Sequence, residues 1–157
     1  MHASVNDSIS PELASLTFSQ IQALDREATN GETFAYYESS QVSRATVYRN
    51  RISGIVGNFV EQFQVQITVH QQEISGYCSC GKSLHICKHV VALLYSWVND
   101  GGDFLNVEHA LSEIREMDRD RLIEVVSNII RHDPQYLDLF FAKNKEEWDE
   151  IDPDPFL

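Results

Sequence analysis

All three cysteines of the chain lie close together, as Cys78-Ser-Cys80 and then Cys87 after six intervening residues. His89 follows two positions after Cys87. Thiolate sulfur and imidazole nitrogen are ligands that zinc prefers, and four of them complete a tetrahedral structural site. We therefore predict that Cys78, Cys80, Cys87 and His89 bind one structural Zn²⁺ ion as the cofactor of this chain.

The spacing of the four residues suits this site. Alternate side chains of an extended strand share a face, so Cys78 and Cys80 would project from the same side of the backbone. Residues 81–86 give the chain room to turn back. Apolar residues then recur at helical spacing after Cys87, so the second ligand pair is expected where a helix begins. The partial positive charge of a helix N-terminus favours thiolate, which is the form that binds metal.

Other uses of the three cysteines are less favoured. A disulfide would leave one thiol over, and a bridge between Cys78 and Cys80 would close a very tight ring. We see no secretory signal pattern at the N-terminus, which predicts a cytoplasmic, intracellular protein with reduced thiols. A redox or merely structural thiol set stays as an alternative. His85 could also replace His89 as the fourth ligand, but we favour His89 because a helix would hold it.

The pattern before the cysteines is typical of a small antiparallel sheet. Apolar and polar residues alternate from Gln62 to His70, which predicts a strand with one buried face. Val42–Tyr48 and Arg51–Val56 are shorter predicted strands, and Glu73–Cys80 follows the turn Gln71-Gln72. The sequence therefore predicts an α+β fold, in which a small antiparallel β-meander leads into a zinc finger and a C-terminal helical segment follows.

Helical patterns flank the meander. Thr17 is a candidate cap for a short helix that Asn30-Gly31 would end. The aromatic run Phe34–Tyr37 suits either a strand or a packing cover. Val90–Val98 has the spacing of a buried helix, and Asp118 is a candidate cap for one of the helices that follow.

Composition shifts divide the chain into four predicted regions. Residues 1–16 have little pattern and are predicted to be loose. The regions are residues 1–39 with a short helix, 40–99 with the meander and the finger, 100–145 with helices that pack on it, and 146–157, an acidic tail predicted to be disordered.

The ligand motif resembles the SWIM zinc finger of bacterial Swi/Snf-type ATPases and Mutator-type transposases. Tyr77–Cys80 and Cys87–Leu94 are similar to the core of that family, and the resemblance spans about residues 42 to 141. Standalone prokaryotic members typically have a β-meander before the finger and often a helix after it, which residues 117–134 resemble. The resemblance implies DNA binding and contacts with proteins.

The charge distribution bears on the nucleic-acid prediction. The chain of 157 residues has a net charge of −12, which on its own disfavours contact with phosphates. Residues 40–99 are the exception, with five basic residues against two acidic ones. The five are a candidate nucleic-acid or partner-binding patch, although ordinary solvated charge would look the same: Arg44, Arg49, Arg51, Lys82 and Lys88.

These observations predict a recognition module that binds DNA or a DNA-processing partner protein. The alternative is a pure protein–protein adaptor subunit that binds no nucleic acid; a thiol-redox or metal-dependent enzyme is less favoured. Four protein ligands would close the zinc site, and we find no phosphate-binding loop or His-Glu-x-x-His motif. We therefore expect no enzyme activity, no catalytic residue and no small-molecule substrate. No apolar run is long enough to span a membrane, so we expect no membrane association.

Overall fold

The computed structural model describes residues 8–81 and 86–141, and its internal contacts divide the chain into two units. Unit 1 is Met1–Ala110 and unit 2 is Leu111–Leu157. Unit 1 contains a five-stranded sheet, and the Cys/His cluster follows its fourth strand. Helices make up the described part of unit 2. The predicted α+β class, with a C-terminal helical segment, is therefore confirmed.

The sheet has the strand order β4-β3-β2-β1-β5. The first four strands pair antiparallel with their neighbours in sequence, which is the predicted meander. A short fifth strand pairs parallel with the first and was not predicted. The strands are β1 (Gln41–Tyr48), β2 (Arg51–Gly57), β3 (Gln62–His70), β4 (Glu73–Cys78) and β5 (Leu105–Asn106).

The register of β3 follows from its alternating sequence. Val65, Ile67 and Val69 are at most 1% exposed and face the core, whereas the polar residues between them face outward. The turn into β4 has left-handed backbone at Gln71 (φ 51°) and Gln72 (φ 64°), the conformation that closes a two-residue hairpin without splaying its strands. The hydrophobic pattern and the turn together fix which residues of β4 face the core.

Seven helices lie in residues 8–81 and 86–141. Thr17 begins α2 with a capping box shared with Gln20, and Asn30 ends it in the left-handed conformation (φ 59°). Asp118 begins α6 by accepting the amide hydrogen of Arg121. The helices are α1 (Pro11–Ala14), α2 (Phe18–Thr29), α3 (Thr33–Ser39), α4 (Lys88–Asp100), α5 (Val107–Glu116), α6 (Arg119–His132) and α7 (Leu137–Phe141).

The strand alternative for Phe34–Tyr37 and the prediction of a loose segment at residues 8–16 are wrong. The run Phe34–Tyr37 is part of α3 and not a strand, because Phe34 and Tyr37 share a helix face that packs on the ring of Tyr95, with centroid distances of 5.2 and 5.8 Å. Residues 8–16 are not loose either. Leu13 on α1 is fully buried, and its carbonyl accepts a 3.0 Å hydrogen bond from the indole of Trp97.

The core of unit 1 lies between α4 and the inner face of the sheet. The helix is buried along its first two turns, where Val90 to Tyr95 are each at most 1% exposed. Gly76 on β4 permits this close packing. A methyl group at that position would lie 2.8 Å from Cγ1 of Val90, which is closer than carbon atoms normally approach. The sheet and the start of α4 are thereby held together.

Unit 2 lacks buried residues in its described helices. No residue of α6, α7 or the intervening 3₁₀ turn Pro134–Tyr136 is buried. Within residues 8–81 and 86–141, no helix is both long and apolar enough to traverse a bilayer. The acidic tail, predicted at 146–157, falls outside the described residues, and the predicted packing of residues 100–145 on the finger stays a prediction.

Candidate metal centre

The sheet and α4 each contribute to the Cys/His cluster. Cys78 is the last residue of β4 and pairs with Val65 on β3. The ladder extends one step further, because the amide of Ser79 donates to the carbonyl of Gln64 over 3.0 Å. Cys80 therefore lies just beyond the sheet. Cys87 is the residue that caps α4, and His89 lies in its first turn.

The four side chains point toward one another. One ligand atom from each of Cys78, Cys80, Cys87 and His89 can be chosen so that all four lie within 4.8 Å of each other. The imidazole Nδ1 of His89 lies 3.5 Å from the sulfur of Cys78 and 3.7 Å from that of Cys87. Zinc bonds of about 2.3 Å to sulfur and about 2.0 Å to nitrogen, at a tetrahedral angle, place the two ligand atoms about 3.5 Å apart. The observed separations match that value.

Burial and charge also favour a cation at this point. Cys78, Cys87 and His89 are 3%, 8% and 5% exposed, and Cys80 is half-buried. A hydrogen bond from Cys78 lowers the pKa of Cys87 to about 3, with help from His89 and the backbone amide of Val90 in the first turn of α4. The same hydrogen bond, together with burial, raises the pKa of Cys78. Without a cation the second thiol keeps its proton, whereas a bound dication would deprotonate it.

Comparison with known families identifies the site. The sequence model of the SWIM zinc finger family matches residues 63–97, which run from the second residue of β3 to Trp97 in α4 and include all four ligand residues. The chain contains a SWIM zinc finger. A search of curated proteins and a search of solved structures each returned no match.

The SWIM finger has the donor set of a structural zinc site. Three sulfurs and one imidazole supply four ligands, so a bound zinc ion would have a complete tetrahedral shell. The ion would join the end of the sheet to the start of α4. The predicted cofactor, one structural Zn²⁺, is therefore confirmed by the family match and by the ligand geometry. His85, the alternative ligand, lies outside the described residues.

The basic residues predicted for nucleic-acid contact fall into separate groups. Arg49 and Arg51 both approach the ring of Tyr48, with guanidinium carbons 5.0 and 5.8 Å from its centroid. Lys88 instead lies within the finger, between the ligand residues Cys87 and His89, with its ammonium 4.4 Å from the ring centroid of Tyr36. Arg44 lies in a bulge of β1 at φ 50°. Lys82 lies outside the described residues.

The sheet register explains this separation. Arg51 pairs with Thr68, whereas Cys78 pairs with Val65, three positions away on the same strand. Three positions correspond to about 10 Å along a strand, and an odd number of steps places the two side chains on opposite faces of the sheet. Arg51 and its cross-strand partner Tyr48, whose ring both arginines approach, therefore lie on the outer face, opposite the ligand residue Cys78.

Sequence reasoning missed two residues that contact the metal site. Phe63 stacks on His89 with a centroid distance of 4.0 Å and an interplanar angle of 24°. Tyr36 meets the same imidazole edge-on at 5.6 Å and 71°. Phe63 could have been found from the alternation of β3, which puts it on the same face as Val65. Tyr36 gave no such signal, because it is distant in sequence and lies on α3.

Proposed function

We propose that this chain is a recognition module that binds DNA through the outer face of the sheet, with zinc as a structural brace and no catalytic role. The pair of guanidinium groups around Tyr48 supports this most directly. Arginine binds phosphate oxygens, and an aromatic ring beside it offers a surface on which a base can stack.

Hydrogen bonds to neighbouring segments hold the β1–β2 hairpin that carries Tyr48, Arg49 and Arg51. Tyr48 pairs with Arg51 across the β1–β2 turn, and the turn residue Asn50 hydrogen-bonds to Val69 through both its backbone and its side chain, at 2.9 and 3.1 Å. The carbonyl of Arg49 accepts a 2.9 Å hydrogen bond from Ser10. A rigid support reduces the entropy lost on binding, so two arginines held here can act together.

Arg49 has an acidic neighbour, whereas Arg51 does not form an ion pair with any described residue. Arg49 forms a 3.5 Å ion pair with Glu108, which would compete with a phosphate for its guanidinium. Arg51 contacts the ring of Tyr48, as Arg49 does, but forms no ion pair with another residue among 8–81 and 86–141. We therefore expect Arg51 to be the stronger phosphate contact of the two. The Arg49 side chain is 67% exposed and that of Glu108 is 26% exposed, and an ion pair that keeps this much contact with water is worth little, so a phosphate could replace it at small cost.

Titration of fluorescently labelled duplex and single-stranded DNA over a range of salt concentrations tests the proposal. Arg49→Gln with Arg51→Gln should weaken binding and reduce the slope of log affinity against log salt by about one per lost phosphate contact. The matched control is Arg119→Gln with Arg121→Gln on α6, which removes the same charge from unit 2. Lys88→Gln, tested separately, reports whether the finger itself contacts DNA. Equal binding by the hairpin and control variants would contradict the proposal.

A protein adaptor is the second candidate, and the surface of unit 2 favours it. Ile123, Val125 and Ile129 on α6 are 52%, 36% and 48% exposed, and Phe141 on α7 is 75% exposed. Exposed apolar residues clustered on short helices are typical of protein-binding surfaces. Absence of any DNA binding at low salt would remove the DNA role and leave this candidate.

A further inference from the structure

The second ring nitrogen of His89 has an unusual environment for a zinc ligand. Its Nδ1 faces the sulfurs of Cys78 and Cys87, so Nε2 points away from the metal. Nε2 is buried, and no hydrogen-bond partner for it occurs among residues 8–81 and 86–141. Metal-bound histidines almost always donate this second N–H to a carboxylate, a carbonyl or a water, which fixes the plane of the ring. No hydrogen bond within the described residues therefore orients this imidazole.

Two aromatic rings occupy the positions that could supply the orientation. Phe63 covers one face of the imidazole at 4.0 Å and 24°, and Tyr36 approaches at 5.6 Å and 71°. A stacked ring and an edge-on ring restrain rotation of the imidazole in different directions. His89 is 5% exposed, so water has little access to loosen this packing.

We propose that Phe63 and Tyr36 are positioning residues of the zinc site, which hold the imidazole of His89 so that Nδ1 points at the metal. The ammonium of Lys88 lies 4.4 Å from the centroid of Tyr36 and helps to keep that ring in place through a cation–π contact. Stacking and edge contacts between rings take the part that a hydrogen bond plays in other zinc sites.

With Tyr36, the metal site extends beyond residues 63–97, which match the family model. Tyr36 lies on α3, before residues 63–97 that match the family model. Helix α3 also packs against α4 through Phe34 and Tyr95. The N-terminal helical segment would then contribute to metal affinity, so zinc binding depends on a part of the chain that supplies no ligand.

Zinc affinity of full-length variants tests the proposal, measured by competition with a chromogenic chelator. Phe63→Leu and Tyr36→Leu should each weaken zinc binding about tenfold or more, the usual effect of removing the group that orients a ligand. Phe104→Leu is the control, because it removes a buried ring that packs on Trp97 of α4 and touches neither His89 nor α3. Its affinity should stay within about twofold of wild type. Phe63→Tyr keeps the ring and should keep the affinity.

Cobalt substitution separates positioning from a general loss of stability. Co²⁺ in a tetrahedral Cys₃His site absorbs visible light with a spectrum that depends on ligand geometry. We expect the spectrum to change in Phe63→Leu and Tyr36→Leu, and to be unchanged in Phe104→Leu and Phe63→Tyr. If Phe63→Leu does not fold, the Tyr36→Leu variant and its control carry the test. Affinities and spectra that do not differ between the Tyr36→Leu and Phe104→Leu variants would overturn the proposal.

Discussion

The hydroxyl of Tyr95 donates a 2.9 Å hydrogen bond to Oδ2 of Asp25, joining α4 to α2 inside the core. Asp25 is 1% exposed and also accepts hydrogen bonds from the side chain of Thr29 and the backbone amide of Thr33. A buried carboxylate is tolerated only when its oxygens are satisfied in this way. The pair therefore fixes how α2, α3 and α4 pack.

Removal of that hydroxyl should destabilise the fold. Tyr95→Phe leaves the Asp25 carboxylate with one partner fewer in a dry site, so we expect the free energy of unfolding in urea to fall by about 1–3 kcal/mol. Tyr37→Phe is the control, because Tyr37 donates an equally short bond, 2.9 Å, to the exposed Asp100. That variant should lose less than about 1 kcal/mol. Equal losses in the two variants would contradict this account.

Acid should weaken the fold through Asp25. Burial acts to raise the pKa of Asp25, but the hydrogen bonds from Thr29, Tyr95 and Thr33 outweigh it, and the pKa lies below its ordinary value of 3.8. A lowered folded-state pKa stabilises the protein above the unfolded value, and this stabilisation is lost as pH falls through the folded value.

The comparison of wild type with Asp25→Asn measures this effect. The difference in unfolding free energy between them should be constant above about pH 5 and shrink as the pH falls below about 4. Zinc release by acid affects both proteins and cancels in the difference. Asp103→Asn, which changes an exposed carboxylate, should show no such trend. A difference that is independent of pH for Asp25→Asn would refute the assignment.

Gly76 should not tolerate a side chain. Alanine there would place a methyl group 2.8 Å from Val90, so the sheet and α4 must move apart. We expect a loss of about 1–3 kcal/mol in urea unfolding, the usual cost of overpacking. Gly102→Ala meets nothing within 4 Å and should be nearly neutral. Similar stability for the two variants would show that α4 does not approach β4 this closely.

Zinc binding should depend on His89 and not on His85. Wild type and His85→Ala should each bind about one zinc per chain by elemental analysis, and His89→Ala should lose it, because a Cys₃ set leaves the tetrahedral shell incomplete. Chelation of the wild type should reduce its ordered structure by circular dichroism. Zinc retained by His89→Ala and lost by His85→Ala would make His85 the fourth ligand.

Local patterns predicted much of this fold because they depend on neighbouring residues. The alternation from Gln62 to His70 matches β3 at both ends, and Thr17 and Asp118 cap helices as predicted. The strand β5 has two residues, too few to show a period. Phe34–Tyr37 was ambiguous for the same reason, and only its contact with Tyr95 shows why it is helical.

The ligand residues of the metal site could be predicted from the sequence, whereas the contacts of the aromatic residues that pack on His89 could not. The cysteines and His89 were predicted because ligand spacing is a property of a short segment. The stacking of Phe63 and the approach of Tyr36 depend on how β3 and α3 pack against α4. The alternation of β3 places Phe63 on the inner face, but it does not show which side chain Phe63 meets there, since the residues that meet are far apart along the chain.

The edge position of β4 in the sheet affects how readily the protein aggregates. It is an outermost strand of the described sheet, so one of its edges has no partner strand there. Open strand edges can pair with other chains and begin aggregation. Zinc at Cys78 would anchor the end of this strand to α4. Preparations depleted of zinc should therefore aggregate more readily during expression and storage than zinc-loaded ones.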